Sequence, residues 1–384
     1  MDLFIVKKKV LTGLLLLLII ITGVAIMIPY CTPQFGKLPN GARLERIRQS
    51  PNYADGEFKN LEPTKHFAEG SSFFSAGWDF LFKTWERQRP EAPLPMLKTD
   101  LKTLDRNIDL IIWLGHSAAF LQLGGKRILI EPVFSSSAAP FSSFNKDYNS
   151  EYPYSADDIP DIDYLLISHD HWDHLDYPSI LALKDRVGAI VCPLGVGSHL
   201  EYWGVDPAVI HEGDWNDAFQ LAPNFTVHIL PARHFSGRWL SRNKTLWASF
   251  MLETPERRVF YSGDTGYGKH FAEIGKRFGG IDLAIMENGQ YNIQWHHAHM
   301  LPEETALAAA ELGAKAVLPV HSGRFVLAHH AWDEPYIKLT EASKSKPFEL
   351  LTPAIGQVVY LDGREQTFEP WWESVTIEAQ NSEK

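Results

Sequence analysis

Asp161-Ile162-Asp163-Tyr164-Leu165-Leu166-Ile167-Ser168 runs directly into His169-Asp170-His171-Trp172-Asp173-His174. The first eight residues read as an apolar strand, so the polar side chains that follow emerge where a strand gives way to a loop. Neutral imidazole and carboxylate are the preferred donors of zinc-class ions. Four donors within six residues cannot all face one ion from regular structure. A loop can instead aim His169 and His171 at one metal, and Asp173 and His174 at a neighbour. The plainer reading is a hydrated polar loop. It is disfavoured because so many titratable groups packed without a cation would repel one another or be buried unpaired.

Working outward, IDLIIWLGH (108–116), AAFLQL (118–123) and KRILIEPVF (126–134) read as consecutive strands separated by glycine-containing turns. Downstream, strand and helix alternate. PSILALKDR reads as a helix and AIVCPLG as a strand, followed by the strand-like TVHILPA, SFMLE, RRVFYSGD, DLAIMEN and AVLPVHSG. LPEETALAAAELG reads as a helix with Pro302 in its first turn, Glu303 and Glu304 at its positive end and Gly313 at its stop. Strands neither wholly parallel nor wholly hairpin, with helices outside them, indicate an α/β sandwich.

The run HDHWDH fits the His-x-His-x-Asp-His signature of the metallo-β-lactamase superfamily. Trp113-Leu114-Gly115-His116, ILIEPVFS, SHDHWDHLD, PARHFSGR, YSGDTGY and His299-Met300-Leu301-Pro302-Glu303-Glu304 resemble one branch of it, that of N-acylphosphatidylethanolamine-hydrolysing phospholipase D and its bacterial relatives. The similarity runs from about Phe35 to about Glu369. It implies an αββα sandwich, two mixed sheets flanked by helices. One departure is Glu131, where that branch has Asp, and Glu131 is expected to touch none of the metal ligands.

The resemblance also implies the site. His169, His171 and His234 would hold one metal, Asp173, His174 and His321 a second, and Asp264 would bridge them. Each of the three downstream residues ends a strand-like segment. Two Zn²⁺ ions are expected, with Mn²⁺ or Fe as alternatives accepting similar donors. Asp173 is a candidate for orienting the attacking water. His299 is a candidate for a substrate or proton-transfer role, because the related phospholipase carries a histidine there, against the plainer reading of a polar contact at a helix entry. Arg238 and Arg324, shortly after His234 and His321, are candidates for gripping a phosphate, against the plainer reading of an arginine in a salt bridge. His116 is expected to orient a turn or a ligand. His296, His297, His329 and His330 are read as solvated loop residues, and His66, His199, His211, His228 and His270 as structural. The expected reaction is phosphodiester hydrolysis of a lipid or other small phosphodiester. The alternatives are a lactonase or other ester or amide hydrolase, and a non-catalytic metal-binding envelope protein. A protein nucleophile is not needed, and no Gly-x-Ser-x-Gly elbow occurs.

The 384 residues carry a formal charge of −11, which argues against a general nucleic-acid binder. Two cysteines, Cys31 and Cys192, exclude a disulfide framework and read as unpaired. Lys7, Lys8 and Lys9 precede an apolar run from Val10 to Ile28. A helix of that length, at ~1.5 Å per residue, spans roughly the hydrocarbon core of a bilayer. The basic cluster would stay cytoplasmic, leaving the catalytic domain on the periplasmic or extracytoplasmic side. A cleaved signal peptide is the alternative, but its small-x-small cleavage pattern is poorly matched here. The expected division is a basic tip (1–9), a transmembrane anchor (10–28), an N-terminal arm (29–100), the hydrolase domain (101–370) and a polar tail (371–384), frayed after Trp372. Within the arm, Phe74, Trp78, Leu81, Phe82 and Trp85 recur at helical spacing, as a stripe packed on the domain or as a lipid-facing surface. Association into a homodimer is left open.

Overall fold

The computed structural model describes residues 2–64, 78, 83, 85–148 and 151–375. Most of the aromatic stripe at 74–85 lies outside these residues. Helix α1 (Asp2–Cys31) contains a segment, Lys7–Ile28, long and apolar enough to cross a membrane, and none of its best window is buried against the protein. Helix α2 (Gly41–Arg48) and a small hairpin, β1 (Tyr53–Ala54) with β2 (Glu57–Phe58), follow.

Two seven-stranded sheets then stack face to face. The first contains β3 (Leu110–Trp113), β4 (Ala119–Leu123), β5 (Lys126–Ile130), β6 (Ile162–Leu166), β7 (Val187–Pro193) and β8 (Ile210–Gly213). The second holds β9 (Ala218–Ala222), β10 (Phe225–Leu230), β11 (Ser249–Glu253), β12 (Arg258–Tyr261), β13 (Ile281–Glu287), β14 (Ala314–Val320) and β15 (Glu349–Leu350). Strand β16 (Val358–Tyr360) returns to the first sheet beside β3. Each sheet is antiparallel in one half and parallel in the other. Among the described residues, five further helices complete the domain: α3 (Tyr177–Leu183), α4 (Gly197–Tyr202), α5 (His270–Phe278), α6 (Pro302–Leu312) and α7 (Glu334–Ser343).

Alternation along each strand explains the layers. Ile111, Leu121, Ile128 and Leu166 join Val227, Phe250, Val259 and Ile285 in the core between the sheets. Their neighbours Ile112, Phe120, Leu129 and Leu165 face outward onto Ile180, Leu183 and Leu200 of the helices, and Phe260, Ala284 and Val317 face Phe271, Ile274 and Ala308. With both faces covered, these strands read in sequence as unbroken apolar runs. This is the αββα sandwich, and both cysteines are free.

Two expected boundaries are corrected. Trp371, Trp372 and Val375 are buried in the inter-sheet core, with Trp372 stacked 5.2 Å from Tyr336, so the tail does not begin at 371. Burying two indoles outweighs the polarity of the residues around them. The arm is no separate unit either: Ile47, Phe58 and Leu94 belong to that same core, and Asn60 clamps the His234 backbone with bonds of 2.8 and 3.1 Å.

Candidate metal centre

All seven expected donors converge at one end of the sandwich. His169, His171, Asp173 and His174 stand on the loop after β6 of the first sheet. His234, Asp264 and His321 follow β10, β12 and β14 of the second. His169, His171, His234 and Asp264 place one donor atom each within 4.8 Å of one another, and so do His116, Asp173, His174 and His321. Asp264 reaches both groups. Its Oδ2 is 3.0 Å from His174 Nε2, 3.7 Å from His234 Nε2 and 3.8 Å from His169 Nε2, while Oδ1 is 3.2 Å from His321 Nδ1. The turn that delivers it needs Gly263, whose φ is +56° and where a Cβ would meet Ala248 O at 2.6 Å.

The donor chemistry fits cations. His234 Nδ1–H donates to Ala298 O at 2.9 Å, which turns the Nε2 lone pair toward His171 Nδ1, 3.2 Å away. His169 Nδ1 is bonded to Ser168 Oγ, and its Nε2 lies 2.8 Å from the same His171 nitrogen. Three ring nitrogens thus crowd one point. Among the described residues, His174 Nε2, His321 Nε2 and Asp264 Oδ1 are buried without a hydrogen-bond partner. Buried lone pairs so arranged cost free energy unless a cation takes them. Burial and mutual repulsion hold His169, His234 and His321 well below the ordinary imidazole range, in the neutral form that binds metal. Burial opposes charge on His174 too, but Asp264, Glu131 and Asp173 around it raise it well above that range. Burial pushes Asp264 up to about 7 against the pull of His174.

The residues beneath the donors include a correction. Glu131, expected to touch no ligand, hydrogen-bonds His174 Nδ1 with Oε2, an oxygen that also accepts from Tyr261 Oη, while Oε1 accepts Ser168 N at 2.8 Å. It therefore sets the tautomer and aim of His174. His116 Nε2 lies 2.8 Å from Asp173 Oδ2, and Ser117 Oγ 2.9 Å from His321 Nδ1. Asp170 faces away from the donors and accepts Gly237 N, Thr245 Oγ1 and His199 Nε2 at 2.7, 2.9 and 3.3 Å, an anchor for the loop.

Arg238 and Arg324 do not reach the cleft, which corrects their expected role. Arg238 is buried under Trp172 and spends its donors on the carbonyls of Asp170, Leu175 and Gln34. Arg324 is buried over the Tyr152 ring and donates to Val133 O and Ser135 O. Both brace the loops that carry the donors. His329 is likewise buried, stacked 5.0 Å from Trp85, and His330 Nε2 accepts Gln290 N at 2.9 Å, so neither is a freely solvated loop residue.

Above the donors lies a cleft of about 270 Å³. His171, Asp173, Asp264, His299 and His321 form its floor, and Phe235, Arg242, Gln290, Trp295 and Leu327 its walls. His299 Nδ1 pairs with buried Glu287 Oε2 at 2.9 Å, and its ring is parallel to that of His321, 5.3 Å away. Burial lowers the pKa of His299 and raises that of Glu287 well above the carboxylate range, which favours a neutral pair. Gln290, Trp295 and Arg242 went unnoticed in the sequence. None stands beside a donor in the chain, and no spacing rule marks them.

A two-sheet αββα sandwich with imidazole and carboxylate donors at one end defines a metal-dependent hydrolase of the metallo-β-lactamase class. The model of the β-lactamase superfamily domain matches residues 126–322, and the chain belongs to that family. An uncharacterised protein of Mycobacterium tuberculosis is 39% identical over 329 residues, 84% of this chain and 88% of its own length. A mitochondrial N-acyl-phosphatidylethanolamine-hydrolyzing phospholipase D of Saccharomyces cerevisiae is 35% identical over 237 residues, 59% of this chain and 50% of that one. Among solved structures, a metallo hydrolase of the archaeon Ignicoccus hospitalis superposes with a TM-score of 0.52 at 18% identity, covering 67% of this chain and 99% of its own. At that identity the likeness concerns the fold alone.

Proposed function

We propose that this protein is a membrane-anchored phosphodiesterase that hydrolyses a phospholipid such as an N-acylphosphatidylethanolamine. The observation that carries the reading is Asp264, whose two oxygens reach both donor groups, as a carboxylate bridging two cations must. His169, His171 and His234 would hold one, and Asp173, His174 and His321 the other. Zn²⁺ suits these donors, with Mn²⁺ or Fe as alternatives. Bound there, such cations would supply an activated water, its pKa lowered from ~15.7 towards 7, and would offset charge growing on a phosphoryl oxygen.

The chain's own groups do the rest. Asp173, fixed by His116, orients the attacking water. His299, backed by Glu287, faces the cleft where a proton must reach the departing alcohol. Phe235, Trp295 and Leu327 form an apolar wall that limits water. The yeast relative's activity supports a lipid substrate, and the apolar segment Lys7–Ile28 supports a tether that keeps the domain beside it. Lys7, Lys8 and Lys9 would remain cytoplasmic, with the domain on the outer side.

The test offers metal-loaded, full-length protein in detergent bis-p-nitrophenyl phosphate, an N-acylphosphatidylethanolamine and a panel of lactones. Diester cleavage is expected. Lactone turnover without diester turnover would overturn the reading.

A further inference from the structure

Among the described residues, ten side chains line the cleft, and Arg242 is the one arginine or lysine of them. Its guanidinium lies 5.0 Å from the centre of the Phe235 ring, and that ring packs edge-on against His171 at 4.6 Å. One aromatic ring therefore separates a fixed positive charge from the metal floor. Among the described residues no carboxylate pairs with it, whereas Arg238 and Arg324 have bound backbone carbonyls. Partial burial lowers its pKa, while the side chain stays exposed to solvent, where an anion can reach it.

The loop that carries Arg242 is built to hold it. Ser236 and Asn243 close its neck through Ser236 N to Asn243 Oδ1 at 3.2 Å and Asn243 N to Ser236 O at 3.1 Å, and Ser236 Oγ donates to Thr245 O at 2.6 Å. Asn243, at φ +54°, takes the left-handed turn that follows Arg242. Gly237 lies against Ser241 O, where a Cβ would come within 2.5 Å. Gly237 N is also tied to Asp170 on the donor loop. The arginine's origin is thus fixed to the donor loop itself.

Resting on the phosphodiesterase reading, we propose that Arg242 binds the anionic phosphoryl oxygens of the substrate and so selects charged phosphodiesters over neutral esters and lactones. A planar guanidinium offers two parallel N–H donors to a phosphate, and the Phe235 ring lies 5.0 Å from it beside the cleft. A neutral lactone brings no fixed charge to meet it, so only the diester gains.

The experiment compares wild type with Arg242→Ala and Arg242→Lys as full-length, metal-loaded proteins. The readouts are the KM for bis-p-nitrophenyl phosphate, the KM for p-nitrophenyl acetate, metal content, and the Kd of inorganic phosphate by calorimetry. In Arg242→Ala, the diester KM and phosphate Kd should each rise roughly 10- to 100-fold, the loss of a charge-assisted hydrogen bond. The neutral-ester KM and the metal content should hold within about twofold, and Arg242→Lys should recover part of the loss. Unchanged phosphate affinity, or equal losses on charged and neutral substrates, would overturn the proposal. If the wild type cleaves no diester, the phosphate titration still decides: weaker binding in Arg242→Ala supports the anion site while the phosphodiesterase reading falls, and equal binding removes both.

Discussion

The two sheets furnish the same cleft in opposite ways. The first contributes a single loop, Ser168 to Asp176, with four donors packed into six residues. That loop is held from beneath by Glu131, by Arg238 on the carbonyls of Asp170 and Leu175, and by the contacts of Asp170 to Gly237, Thr245 and His199. The second contributes three single residues from three strand ends, each aimed by its own turn. His234 is pinned by Ala298 O and Asn60, Asp264 follows a left-handed Gly263, and His321 itself sits at φ +67°. A collective loop fails as a unit when its base is disturbed. Separate strand ends fail one donor at a time, except where one donor serves both groups.

That exception gives the largest expected effect. Asp264→Ala should remove both metals and lower turnover by about 10³-fold or more, as expected when a group shared by the whole reacting unit is lost. His234→Ala should release mainly one metal. Equal stoichiometry in the two variants, read by elemental analysis, would erase the proposed distinction between bridging and single donors.

On the first sheet's side, Glu131→Gln should weaken metal binding about 10- to 100-fold by releasing His174, with Glu131→Asp intermediate. Competition titration with a chelator measures this. A wild-type affinity in Glu131→Gln would mean that His174 is aimed by other contacts.

Arg238→Ala should act through stability, since it leaves the carbonyls of Asp170, Leu175 and Gln34 without their buried donor. A loss of about 3 kcal/mol is expected in denaturant unfolding. A stable variant defective only in phosphodiester KM would restore the phosphate-gripping role.

The smallest effect lies away from the cleft. Burial lowers His270 to about 4 from an ordinary value near 6.5. The unfolded chain then binds more protons than the folded one between those values. Stability from this group is complete above about 6.5 and is lost as pH falls towards 4, by at most about 3 kcal/mol. His270→Gln should therefore lose less stability than wild type between pH 7 and pH 5. Parallel pH profiles would contradict the assignment.

Legibility followed the same division. Strands buried on both faces announce themselves as apolar runs, and a crowded donor loop is visible in any single sequence. His234, Asp264 and His321 are single letters that only strand ends and family resemblance single out. Strands β8 and β9 escaped notice; β9 is a partly exposed edge without a clean apolar alternation. Trp371 and Trp372 were hidden in a polar context. The arginines are the clearest lesson. Arg238 and Arg242 both follow His234 closely, and only the fold of the loop around Gly237 decides that the first is buried beneath the donors and the second faces the cleft. Chain distance carries no information about that choice, and Glu131, at the end of β5 in the first sheet, shows the same limit.

The central claim is that seven side chains drawn from two sheets hold a pair of cations bridged by Asp264. Metal stoichiometry of the folded, full-length protein, measured by plasma mass spectrometry after exhaustive dialysis, tests it most directly. Two equivalents per chain in the wild type, falling to near zero in Asp264→Ala, are predicted. A wild type without tightly held transition metal, or an Asp264→Ala protein that keeps both equivalents, would contradict it.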